Sequence, residues 1–131
     1  MSYLSAYLVN LSVTNYSELH LGETAQSLIA KFVIIRTPKT ISRNELKSVN
    51  INQEWTQRKH GPEYWYEVVL ETKDGTLLRP NWSISAKNTA EFARLEQFVE
   101  ELKKLEFPLS FSYKDKQGKT HLTQSITERP E

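Results

Sequence analysis

Cysteine is absent from this chain of 131 residues, so disulfides and thiolate metal sites are excluded and stability has to come from packing alone. Aspartate is nearly absent. The only two, Asp74 and Asp115, fall in turn sequences (KDG and DKQG), which leaves none for a catalytic triad or a carboxylate metal cluster. The glycines Gly22, Gly61, Gly75 and Gly118 are isolated, so no phosphate loop or dinucleotide fingerprint exists. His20, His60 and His121 lie far apart with no helical pair, and neither a metal nor another cofactor is expected. Long apolar runs are missing too: FVIIR at 32–36 is far short of the roughly 20 residues that cross a bilayer. The stretch MSYLSAYLVNLSV carries no positive residue ahead of its apolar part, so the expectation is a cytoplasmic protein without a secretory leader.

Charge of one sign is also lacking, because the formal net charge is only +1. Any attraction to nucleic acid or anionic lipid must therefore come from local patches. One such patch exists. Residues 31–60 hold Lys31, Arg36, Lys39, Arg43, Lys47, Arg58 and Lys59 against Glu45 and Glu54, a local excess of +5.

Alternating hydrophobicity makes up most of what remains. Tyr7, Val9, Leu11 and Val13 alternate with Leu8, Asn10, Ser12 and Thr14, the period of a half-buried strand. SLIAKFVIIR at 27–36 is apolar on both faces and reads as a central strand ended by Pro38. In ELKSVNINQEW, the set Lys47, Val49, Ile51, Gln53 and Trp55 faces one way and Ser48, Asn50, Asn52 and Glu54 the other.

The segment EYWYEVVLETKDGTLLRPNWSI at 63–84 yields to register. A two-residue Asp-Gly turn would put Leu70 opposite Arg79. A three-residue loop Lys73-Asp74-Gly75, with Gly75 left-handed, instead pairs Thr72 with Thr76 and Leu70 with Leu78. Continued outward, it pairs Val68 with Pro80, Tyr66 with Trp82 and Tyr64 with Ile84, one apolar side throughout. Arg79 then lies on the other side between Glu67 and Glu71. Those carboxylates are about 13 Å apart on one strand, too far for a glycosidase pair, and read as a solvated ion-pair network.

A helix over about 89–105 follows, with Asn88 as cap, Glu91 three residues on, and Phe92, Leu95, Phe98, Val99, Leu102 and Leu105 on one stripe before Pro108. The tail makes a second hairpin. A loop Asp115 to Gly118 would pair Tyr113 with Thr120 and Phe111 with Leu122. The fold expected is one α+β domain over 1–131, a curved antiparallel sheet of about seven strands with one principal helix.

Two places stand out as candidate sites. Trp65 falls among polar neighbours, where it either anchors a partner or lies under the tail hairpin or the N-terminal strand. QRKHGPE at 57–63 places Arg58, Lys59 and His60 at the mouth of the hairpin near Trp55. Stacking of single-stranded nucleic acid on the aromatics is not expected, since they pair with aliphatic residues and the C-terminal part is acidic.

The stretches ISRNELKSVNINQEW, YWYEVVLETKDGTLL and TAEFARLEQFVEEL together resemble small bacterial domains of the pleckstrin-homology-like superfamily, over about 65 residues. The resemblance implies a bent, partly closed antiparallel barrel with the helix plugging one end. It also implies a non-catalytic role in binding peptides, proteins or lipid headgroups, with Lys31, Arg36, Lys39 and Arg43 near the place where lipid-binding members gather basic residues. The family usually ends on the helix, whereas this chain adds the tail hairpin. The expected function is a binding or assembly module for a protein or peptide, acting through Trp65, Trp55, Arg58, Lys59 and His60. The alternatives are attachment to anionic membrane through Lys31, Arg36, Lys39 and Arg43, and a small enzyme using Glu54 or His60.

Overall fold

The computed structural model describes residues 13–22, 26–32 and 37–126. Strands β1 (Val13–Tyr16), β2 (Glu18–Leu21), β3 (Ser27–Lys31) and β4 (Lys39–Ser42) come first. A 3-10 turn (Arg43–Glu45) leads into the long pair β5 (Leu46–Arg58) and β6 (Gly61–Thr72). β7 (Leu77–Pro80), β8 (Ile84–Ser85), helix α1 (Thr89–Lys104), β9 (Leu109–Lys114) and β10 (Thr120–Thr123) complete the order. The expected strand over 7–14 lies outside the described residues up to position 12, as do residues 33–36 and with them Arg36.

The class is α+β. The larger sheet runs as an open path β1-β7-β6-β5-β9-β10, with β8 also on β6, and the smaller sheet is β2-β3-β4. Two pairings, β1 with β7 and β5 with β9, are parallel, where an all-antiparallel sheet was expected. The β5–β9 contact is parallel because α1 carries the chain back across the sheet between β8 and β9. α1 lays Leu95, Val99 and Leu102 on the face formed by Val49, Ile51, Tyr66, Val68, Leu70 and Leu78, and Leu28, Ala30 and Ile41 of the smaller sheet join the same core. Among the described residues no helix is long and apolar enough to cross a membrane.

The KDG loop behaves as its residues dictate. Gly75 is left-handed at φ 92°, the Thr72 N–H donates to the Thr76 carbonyl at 3.0 Å, and Leu70 sits opposite Leu78. Arg79 stays on the wet side with its guanidinium 3.0 Å from Glu67. Two details depart from the expected alternation. A bulge between Leu46 and Ser48 turns Lys47 out of the dry set, so Leu46 is buried in its place and Lys47 reaches Glu71 at 3.2 Å.

The second departure lies beyond Leu78. Tyr66 pairs with Ile84, not Trp82, and Trp82 is 58 % exposed. The Thr72 N–H donates across to the Thr76 carbonyl, which makes this a hydrogen-bonded pair, and by alternation a Val68–Pro80 pair would require a donor at position 80. Proline has no N–H. The Tyr16 hydroxyl supplies the bond by donating to the Val68 carbonyl at 2.5 Å, and the strand bends at Asn81 and Trp82 before rejoining β6 at Ile84.

α1 begins where expected, with the Asn88 side chain accepting from the Glu91 N–H at 3.2 Å. It ends earlier than Pro108 requires. Glu106 adopts φ 60°, the Phe107 N–H donates to the Leu102 carbonyl and the Glu106 N–H to that of Lys103, so a Schellman cap closes the helix. A left-handed residue with a Cβ costs roughly 1–2 kcal/mol. Glu106→Gly is therefore expected to raise stability by about 0.5–1 kcal/mol after the extra entropy of glycine in the unfolded chain is subtracted. A thermal melt reads this directly; a lowered midpoint would remove the cap from the account.

Candidate functional site

β5 and β6 form a ribbon of 13 and 12 residues, about 40 Å long. β9 follows β5 only as far as Gln53, and β8 meets β6 only at Trp65 and Tyr66, so the end of the ribbon projects beyond its neighbours. Register decides what each face of this arm carries. Trp55 lies opposite Tyr64, and Glu54 lies opposite Trp65. The two tryptophans therefore point to opposite faces, and the sequence-predicted site is split between them.

The Trp65 face holds Arg58, whose Nε is 3.0 Å from Glu63, and Ser85, whose hydroxyl donates to the same carboxylate. Trp65 is half-buried there. Lys59 and His60 form the exposed two-residue turn between Arg58 and Gly61. Of the basic set proposed for lipid, Arg43 donates from its guanidinium to the Leu105 carbonyl at 2.6 Å and so binds the end of α1. Lys31 stands across from Glu18, and Lys39 is exposed across from Ala30.

The opposite face carries a groove of about 790 Å³. Its floor crosses four strands in order: Tyr64 on β6, Trp55 and Gln53 on β5, Tyr113 on β9 and His121 on β10. The four rings are half-buried. Gln53 is 5 % exposed and donates its amide to the Tyr66 hydroxyl at 3.0 Å, which ties the groove floor to the core under α1. Tyr113 and His121 stack with centroids 4.9 Å apart and planes at 19°. Lys116 Nζ lies 5.8 Å from the centre of the Trp55 ring, within cation–π range. On the Trp65 face, Lys114 pairs with Glu54 at 3.5 Å.

Asp115 builds one wall. Its Oδ1 accepts from the Gln117 and Lys119 N–H groups, each at 2.9 Å, and its Oδ2 lies 2.7 Å from His121 Nε2. The bond with His121, followed by the backbone donors, holds this carboxyl below the usual carboxylate range. The turn so organised is five residues long, and β9 and β10 pair as Tyr113 with His121 and Ser112 with Leu122. The expected pairing of Tyr113 with Thr120 and Phe111 with Leu122 is corrected by one position. A slip of one residue exchanges faces. It puts His121 into the groove and leaves Leu122 82 % exposed.

Asp115→Ala removes the acceptors that set this turn. The amides of Thr120–Thr123 are expected to lose protection against hydrogen exchange by about tenfold or more, with α1 unaffected. An equal loss in α1 would show that the hairpin does not open independently.

Among the described residues no three His, Asp or Glu side chains converge as a metal site. Tyr64, Tyr113, Gln53 and the Asp115–His121 pair were not among the residues singled out from the sequence, because their juxtaposition depends on the parallel contact of β9 with β5. The only local signal was Asp115, whose side chain has backbone donors within reach two and four residues on. Comparison with protein-family models, curated proteins and solved structures finds no match. The fold and site define an α+β sheet protein with an aromatic groove running across its strands.

Proposed function

We propose that the protein is a non-catalytic binding module whose partner is a protein or peptide, engaged by the groove that holds Trp55. The observation that carries this reading is the groove across the strands in which Trp55, Tyr113 and His121 lie half-exposed on β5, β9 and β10. Rigid aromatic side chains in a concave surface lose little entropy on binding and shed much apolar area, which is why they anchor interfaces. The pleckstrin-homology-like resemblance points the same way, toward binding rather than catalysis. Membrane attachment is the weaker reading, because Arg43 is engaged by the C-terminus of α1 and Lys31 faces Glu18. An enzyme built on Glu54 or His60 is weaker still: Glu54 is exposed and paired with Lys114, and His60 is at a turn tip.

The reading is tested by selecting ligands from a random peptide library on the wild-type protein, with Trp55→Ala as the counter-selection. Peptides that bind the wild type and not the variant are expected, while Trp65→Ala retains them. Selection of nothing that depends on Trp55, or equal loss with Trp65→Ala, would overturn it.

A further inference from the structure

A second groove, of about 590 Å³, shares no residue with the one that holds Trp55. Leu19 of β2 and Leu95 and Phe98 of α1 line it, together with Val68, Ile84 and the exposed Trp82. We infer that this groove is a separate binding surface, which takes an extended peptide of alternating apolar and basic residues by adding it as a strand to the free edge of β2.

Backbone alternation opens that edge. The Ser17 N–H donates to the Lys31 carbonyl at 2.7 Å and Glu18 also stands opposite Lys31, a bulge at which the chain passes from the larger sheet to the smaller. The Gly22 N–H donates to the Ser27 carbonyl, so Gly22, His20 and Glu18 turn their backbone groups toward β3, and Leu19 and Leu21 turn theirs away. On this outward side Tyr16 still has a neighbour, since its carbonyl accepts from the Asn81 N–H at 2.9 Å. Past Asn81 the chain bends to rejoin β6 at Ile84, and among the described residues β2 pairs with β3 alone. The bend after Pro80 therefore leaves a gap where one more strand fits.

The groups left at this edge specify the occupant. Leu19 and Leu21 present two N–H donors and two carbonyl acceptors about 7 Å apart, the two-residue repeat of an extended chain. A helix has already paired its own backbone groups, and polyproline II repeats every three residues. Alternate side chains of an added strand would point toward Val68, Leu95 and Phe98, so they are apolar.

Charge narrows the occupant further. Glu18 and Glu91 line the groove, and among the described residues neither lies within 4 Å of a lysine or arginine: Glu18 has His20 at 3.9 Å, and Glu91 accepts from the Asn88 side chain at 2.9 Å. Arg94 is the one lysine or arginine in the lining. Two carboxylates against one guanidinium favour a ligand with lysine or arginine and disfavour one with phosphates.

The test is a titration of isotopically labelled protein with a capped hexapeptide of alternating lysine and valine. Shifts and slowed hydrogen exchange are expected at the Leu19 and Leu21 amides, with a shift of the Trp82 indole. Of two N-methylated forms, one blocked at its valines and one at its lysines, one is expected to bind about tenfold weaker and the other to be tolerated, because only one edge of a strand faces β2. A glutamate–valine peptide is expected to bind about threefold weaker or less well still. Trp55→Ala should leave all of this unchanged, so the two grooves stand or fall separately. Four results would overturn the inference: no effect at Leu19 and Leu21, equal binding of both methylated forms and the parent, equal binding of the glutamate–valine peptide, or loss of binding in Trp55→Ala. Shifts at Leu19 and Leu21 on raising the protein concentration alone would overturn it as well, by giving the edge to a second copy of the chain.

Discussion

Leu102→Ala is expected to cost about 3–4 kcal/mol of folding free energy, within the range for leucine truncated in a closed core. Leu102 is 0 % exposed and lies on the stripe of α1 that meets the sheet. Its carbonyl also accepts from Phe107 in the helix cap, and Phe107 is itself buried, so backbone bonds on both sides restrict any collapse into the space left behind. For a chain of this size that cost lowers the thermal midpoint by roughly 10–15 °C. Leu122→Ala is the matched control: at 82 % exposure it should change stability by no more than about 0.5 kcal/mol. Urea titrations of both variants check the pair. A Leu102→Ala cost below about 1 kcal/mol would mean that α1 is not seated on the sheet.

Tyr16→Phe carries the second largest effect. The phenol donates to the Val68 carbonyl at a point where Pro80 cannot, so the variant leaves a buried acceptor without its donor, a loss of about 1–3 kcal/mol. Pro80 offers a sharper test. In a Pro80→Ala background the backbone N–H returns, and the penalty of Tyr16→Phe should shrink by about 0.5 kcal/mol or more in a double-mutant cycle. Strict additivity would show that the two groups do not serve the same carbonyl.

The same tyrosine gives a pH dependence whose sign is determined. Burial, and secondarily the charge of Glu67, push its ionisation well above the ordinary phenol value. Below a pH of about 10 neither the folded nor the unfolded chain ionises this group, and its contribution is intact. Above that, the unfolded chain loses the proton while the folded one keeps it. Stability then falls with rising pH by up to about 1.4 kcal/mol per unit on account of this residue. Denaturation curves between pH 9 and 11 should therefore fall more steeply for the wild type than for Tyr16→Phe, and parallel curves would contradict the burial of the phenol.

Trp55 and Trp65 show how far residue patterns reach. Strict alternation already places residues an even and an odd step from a turn on opposite faces, and the pairing of Leu70 with Leu78 follows from matching apolar partners across three loop residues. The cap of α1 was legible for the same reason: Asn88 and Glu91 interact over a distance that the chain itself sets. Where the pattern misled, a partner distant in sequence had the deciding role. Pairing Tyr66 with Trp82 looked apolar throughout, but it ignored the donor missing at Pro80 and could not foresee Tyr16 filling the gap from another strand.

The tail hairpin is a second instance. Pairing Phe111 with Leu122 looks best on hydrophobic grounds, yet the side chain of Asp115 satisfies two backbone donors and His121 in a longer turn, and the slip of one position reverses the faces of β10. Local chemistry within the chain thus set the elements, their caps and the Lys73–Gly75 loop, because those interactions join residues a few positions apart. The groove arose from the long-range pairing of β9 alongside β5, and the bend after Pro80 from Tyr16 against Val68, since contacts between residues some 50 to 60 positions apart leave no periodic trace in the order of amino acids.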